Sequence, residues 1–169
     1  MKKIIFILLI LFIFSSYLFA NENIIIPEDS IRFRIIANSN DEYDQNLKKV
    51  IKKDLEENLF TLIENSKSKE ETAKIIAQNQ DIIKSTLDKY NVKYTVNYGL
   101  NHFPQKEYKG VTYEEGNYDS LVITLGEAKG NNWWCVMYPP LCLLEANDEE
   151  YEEVEYKSYI QEILKKFTK

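Results

Sequence analysis

Between Ile31 and Ile35 the chain alternates apolar and charged residues: Ile31, Phe33 and Ile35 are separated by Arg32 and Arg34. That two-residue period predicts a strand burying one face. Ile36 and Ala37 end the alternation, and a longer period takes over. Ser39 followed by Glu42 has the spacing of a reciprocal capping box at a helix start. Leu47, Val50, Ile51, Leu55, Leu59, Leu62 and Ile63 then recur at three- and four-residue steps, the stripe of an amphipathic helix. A second box, Ser68 with Glu71, opens another predicted helix lined by Ala73, Ile76, Ala77, Ile83, Leu87 and Tyr90. Asn91 stands where a left-handed residue ends such a helix. Val92, Tyr94, Val96 and Tyr98 alternate with Lys93, Thr95 and Asn97, a second half-buried strand. Residues 99–119, punctuated by Pro104, Gly110 and Gly116, read as a long loop with one short strand. "LVITL" and "WWCVMY" predict two further strands, joined as a hairpin by the polar "GEAKGNN" and ended by Pro139 and Pro140. Tyr156, Ile160, Ile163, Leu164 and Phe167 mark a last amphipathic helix.

These elements predict an α+β fold: a mostly antiparallel sheet of about four strands with two or three helices packed on it. The domain is expected over residues 31–144, after a linker at 21–30 and before an acidic, helical C-terminal extension at 145–169. Residues 1–20 read as a signal segment, because Lys2 and Lys3 precede an apolar run that ends at Ser15 and Ser16. Cleavage is expected after Ala20, although Leu18 departs from the usual small-residue pattern. The run falls short of the roughly 20 apolar residues that span a bilayer, which favours export over anchoring. Membrane contact is expected only through this segment, if it stays uncleaved.

Charge then narrows the partners. The chain carries a net −6, and loss of Lys2 and Lys3 with the signal segment makes the exported part about −8. Such a surface gives no electrostatic footprint for a phosphate backbone, so nucleic acid is not an expected partner. Lys48, Lys49, Lys52 and Lys53 are interleaved with Asp54, Glu56 and Glu57 and read as a solvated helix face. No cofactor or metal is expected: "GEAKGN" lacks the Lys-Ser/Thr pair of a phosphate loop, and one histidine with two cysteines makes no zinc set. Acid pairs such as Glu114 and Glu115 are commonplace in an acidic chain. Cys135 and His102 are the one nucleophile and base pair to weigh, but Cys135 lies inside an apolar strand, away from the positions where thiolates are activated.

"GNNWWCVMYPPLC" concentrates both tryptophans and both cysteines of the chain. In an exported protein the pair Cys135 and Cys142 suits a disulfide, worth about 2 to 3 kcal/mol by loop closure, with two buried thiols as the alternative. Trp133 and Trp134 point to opposite faces of a strand, so at most one lies wholly in the core. Beside a stiff proline loop, an exposed tryptophan anchors a protein partner or a sugar ring; packing both under the helices is the other reading.

Two segments carry a resemblance. The first has Ile31, Arg32, Ala37, Asn38, Ser39, Asp44 and Gln45; the second has Gly116, Tyr118, Gly126, Gly130, Asn132, Trp133, Trp134, Cys135, Val136, Pro139, Pro140, Leu141 and Cys142. In order and spacing they resemble the signature blocks of the stage II sporulation protein R family. Departures are Arg34 where the family often has histidine, Asn40 for the common aspartate, and "YEEG" at Tyr113 to Gly116 for Tyr-Pro-Ala-Gly. The resemblance implies a signalling protein without catalysis of its own. Members are exported from the forespore and activate a membrane-embedded aspartic protease of the mother cell, which cleaves a sporulation sigma-factor precursor. The implied location is the space between the forespore and mother-cell membranes, and the implied partner is the extracytoplasmic face of that protease. Arg32, Asn38, Ser39, Asp44 and Gln45 become partner-binding candidates, with Asn132, Trp133, Trp134, Pro139 and Pro140 as a second group. Local capping and hydrogen bonding would equally account for the first group. A secreted module that binds peptidoglycan through Trp133 or Trp134 is the alternative function.

Overall fold

The computed structural model describes residues 24–142 and 153–167, with Ile4, Ile5, Ile7 and Ile10 ahead of them. Apart from those four isoleucines, the expected signal segment lies outside the described residues, as does the 145–152 part of the acidic extension. Among the described residues no helix is long and apolar enough to cross a membrane.

The segment read as linker already takes part in the fold. Ile24 and Ile25 form a short strand, β1 (Ile24–Ile25), and Ile26 is buried with its N–H donating to the Thr112 carbonyl at 3.0 Å. Three apolar residues in a row had a place to go that local pattern does not reveal. β2 (Ile31–Ile36) follows and buries Ile31, Phe33 and Ile35 on one face, as the alternation predicts.

The first helix, α1 (Glu42–Leu55), begins after Asp41; Ser39, expected as its cap, is engaged elsewhere. It runs on through a π-helical turn (Glu56–Phe60) into α2 (Thr61–Ile63). The wider turn brings Leu59 and Phe60 inward together, whereas Val50, part of the predicted stripe, is exposed. α3 (Lys69–Gln78) starts as predicted: the Ser68 hydroxyl accepts from the Glu71 N–H at 3.1 Å, and the Glu71 carboxylate accepts from the Lys67 N–H at 2.8 Å. The single helix expected through Tyr90 is two, because Asn79 interrupts it. Its side-chain amide donates to the Ile75 carbonyl at 2.8 Å, and α4 (Gln80–Asp88) resumes beyond it. Asn91 has φ 48°, the left-handed residue expected there.

β3 (Tyr94–Phe103) is longer than predicted, and the supposed loop contains β4 (Lys106–Tyr108), β5 (Val111–Tyr113) and the start of β6 (Gly116–Leu125). β7 (Asn132–Tyr138) completes the strands, and α5 (Glu153–Phe167) is the last helix. The four-stranded sheet has the order β3-β6-β2-β7; β6 is antiparallel to β3 and parallel to β2, and β2 is antiparallel to β7. The predicted hairpin of β6 and β7 is therefore not formed. β2 occupies the space between them, and the connection at residues 126–131 spans it. The second sheet has the order β1-β5-β4.

The fold is α+β, with α1 to α4 closing one face of the larger sheet over Phe33, Ile51, Leu55, Ile76, Ile83, Leu121 and Ile123. Burial of each such side chain contributes about 1.5 to 3 kcal/mol. The smaller sheet and α5 form a second core, where Ile26, Val111, Tyr113, Val136, Tyr156 and Ile160 meet. The C-terminal helix is thus packed into the fold, with the Tyr113 and Tyr156 hydroxyls 3.0 Å apart.

Candidate functional site

The polar residues of the first signature block converge on one carboxylate. Asp44, in the first turn of α1, accepts from the Asn38 amide at 2.7 Å and the Ser39 hydroxyl at 2.6 Å, which hold its pKa below the ordinary value. Asn38 turns its amide oxygen to the Glu127 N–H at 2.9 Å, and Asn40 accepts from the Asn131 N–H at 2.7 Å. Gln45 donates to the Ser39 carbonyl at 2.8 Å and accepts from Lys48, which also donates to the Asn131 carbonyl at 2.8 Å. These contacts join the β2–α1 turn to the β6–β7 connection. Glycine is required where the two loops touch. A Cβ at Gly130 would collide with the Ser39 carbonyl, and Gly126, at φ 55°, lies against the Asn38 side chain. Asn38, Ser39, Asp44 and Gln45 are thus brought together with the glycines of the second block, in a network extending far beyond local capping.

Arg32 is not part of that network. It lies on the other face of β2 and is only 1% exposed. Its guanidinium stacks over the Tyr118 ring at 3.3 Å and approaches the Phe103 ring at 5.5 Å, and Arg34 stands over Phe103 at 4.6 Å. Phe103 in turn meets Tyr118 and Trp134 edge to face, at 6.3 Å and 5.4 Å between ring centres. None of the three guanidinium nitrogens of Arg32 has a hydrogen-bond partner among the described residues. Burial lowers the pKa of both arginines. Each stacked cation contributes about 0.5 to 2 kcal/mol, which offsets only part of the desolvation cost.

The tryptophans flank the edge strand β7. Trp133 turns to the helix side, edge to face with Phe33 at 5.5 Å and under the Lys52 ammonium at 4.8 Å. Trp134 turns to the arginine side, with Lys106 5.1 Å from its ring centre. Both are half-buried on opposite faces of β7, as expected of neighbouring strand residues, and only Trp133 packs on the helix side. Because β7 is an edge, both rings border one cavity of about 110 Å³, completed by Lys106, Tyr108 and Tyr113. Those three come from β4 and β5, in the stretch that sequence pattern read as a long loop with one short strand. Three-residue strands leave too little periodicity to detect. Asn132 is exposed next to Trp133, whereas Pro139 and Pro140, named with it as partner-binding candidates, are buried.

Cys135 and Cys142 form a disulfide with their Cα atoms 5.2 Å apart, which settles the choice between a bridge and free thiols. The Cys135 sulfur is therefore bonded and turned into the helix-side core, while His102 sits at the exposed end of β3, 3.8 Å from Glu115. Among the described residues no group of three or more His, Cys, Asp or Glu is placed to hold a metal.

Comparison with known proteins converges on one family. The stage II sporulation protein R family matches residues 27–148. Stage II sporulation protein R of Bacillus subtilis (strain 168) is 37% identical over 144 residues, covering 81% of this chain and 64% of that protein. The chain thus spans just under two thirds of the length of that relative. No solved structure matches. The matched span holds both loops of the Asp44 network, the arginine and aromatic cluster, the tryptophan cavity and the disulfide, and the chain belongs to the stage II sporulation protein R family.

Proposed function

We propose that this protein is an exported signal that binds the extracytoplasmic part of a membrane-embedded aspartic protease and switches it on, so that a sporulation sigma-factor precursor is processed. Family membership is the observation that carries the reading. The Cys135–Cys142 disulfide supports export, since such bonds persist in oxidising compartments. The apolar run behind Lys2 and Lys3 supports it too. A cavity lined by aromatic side chains suits recognition, because rigid aromatic surface gives much contact area for little lost entropy.

The test is co-expression of the chain with its own organism's candidate protease and sigma precursor, in a host that lacks all three. Cleavage that requires an exported copy is the expected result. Absence of cleavage with an exported copy and a protease competent by other means would overturn the proposal. The peptidoglycan-binding alternative predicts retention on purified cell wall. Its stacking platform is less available than the sequence suggests, since ammonium groups stand over both indole rings.

A further inference from the structure

Cations gather around the tryptophan cavity of a chain whose net charge is −6. Lys106 lies over Trp134, and Arg34 is directly paired with Trp134 across the β2–β7 ladder. Lys48 reaches the Asn131 carbonyl just before β7, and its pKa is lowered by burial and then by the charges of Lys49 and Lys106. Among the described residues, none of Arg34, Lys48 and Lys106 has a carboxylate within ion-pair distance, and the Nε of Arg34 is buried with no hydrogen-bond partner. The nearest acid in sequence, Glu107, alternates away: Lys106 and Tyr108 share the face of β4 that lines the cavity, and Glu107 takes the other. Lys69, by contrast, stands between Asp29 and Asp119 at 2.8 Å and 3.0 Å. Unneutralised cations around an aromatic cavity, on a protein that otherwise repels anions, are the complement of a ligand carboxylate.

From this we infer that the cavity lined by Trp133, Trp134, Tyr108 and Lys106 is a docking site for an acidic peptide segment of the partner protein. A carboxylate side chain would enter beside Lys106, the cation that lines the cavity. At about 110 Å³ the space suits one such side chain rather than a folded element. Lys106 and Tyr108 are exposed, so the site is reached from solvent. The inference rests on the signalling reading for the identity of the partner and on the cavity alone for its chemistry.

The chain has two tryptophans and both line the cavity, so intrinsic fluorescence reports its occupancy. Purified full chain would be titrated with hexaglutamate, hexalysine, muropeptide and vesicles of anionic lipid. A saturable emission change with hexaglutamate, absent with hexalysine and weakened by salt, is expected. Lys106→Gln, an exposed change that leaves both tryptophans in place, is expected to weaken binding about tenfold, the scale of one charge-assisted hydrogen bond. Lys166→Gln, on the last turn of α5, is the control and should bind as the parent does. No saturable change with hexaglutamate, an equal response from Lys106→Gln, or a response to muropeptide or vesicles alone would each overturn the inference. The cleavage assay separates the two proposals. Hexaglutamate binding without any chain-dependent cleavage keeps the site and removes the signalling role; cleavage without hexaglutamate binding does the reverse.

Discussion

On the helix side of the four-stranded sheet, β2 presents Ile31, Phe33 and Ile35 to a continuous apolar core under α1 to α4. On the opposite side the same strand presents Arg32 and Arg34, and their neighbours on that face are Phe103, Tyr118 and Trp134 from the other strands of the sheet. Both faces are closed to water along much of their length, yet only the first is closed by dispersion and hydrophobic burial alone. On the second, aromatic faces stand in for the water that the guanidinium groups lose. An apolar and charged alternation therefore does not imply a solvated face when aromatic residues from distant strands can cover the charge. The second face is the costlier one per residue, and it borders the cavity at β7.

Phe33→Ala should produce the largest effect, because Phe33 contacts Phe60 and Trp133 edge to face at the centre of the helix-side core. A loss of about 3 to 5 kcal/mol is expected by urea unfolding. A loss below about 1 kcal/mol would mean that the two faces do not differ as described.

Cys142→Ser opens the ring that ties the middle of β7 to the chain beyond Pro140, and should cost about 2 to 3 kcal/mol. Adding reductant to the parent should reproduce the loss and leave the variant unchanged. If reductant destabilises both equally, the bridge is not the cause.

Arg32→Met sharpens the contrast between the faces. Removing a buried guanidinium without hydrogen-bond partners and filling its space with an apolar chain should change stability by less than about 1 kcal/mol, or raise it. A drop beyond about 3 kcal/mol would show that Arg32 has strong partners in solution.

The smallest effect concerns the Asp44 network, at the end of the sheet where both faces terminate. Its carboxyl pKa is depressed by the Ser39 and Asn38 hydrogen bonds, so it contributes stability above the unperturbed value of 3.8 and loses it as pH falls through the folded value. The parent should therefore lose stability more steeply than Asp44→Asn as acid titration passes below 3.8. Parallel curves would remove Asp44 as the origin of that slope.

Residue pattern alone settled the elements whose periodicity is long and local: the buried face of β2, the first helix, the Ser68 cap, the left-handed Asn91 and the β7 strand. The α+β class follows from their order, and the family from two motif blocks. The pairing of Cys135 with Cys142 was anticipated as one of two readings. What pattern could not reach depends on residues far apart in sequence. The insertion of β2 between β6 and β7, which cancels the expected hairpin, is decided by which strands bury their common apolar faces best. The fate of Arg32 is decided by Phe103 and Tyr118, more than seventy positions away. Lys106 and Tyr108 acquire a role only because β4 is carried to the edge of β7, where Trp133 and Trp134 meet them. Local periodicity reports how one segment partitions between water and an interior; it carries no information about which other segment supplies that interior, and the candidate site is made entirely of such meetings.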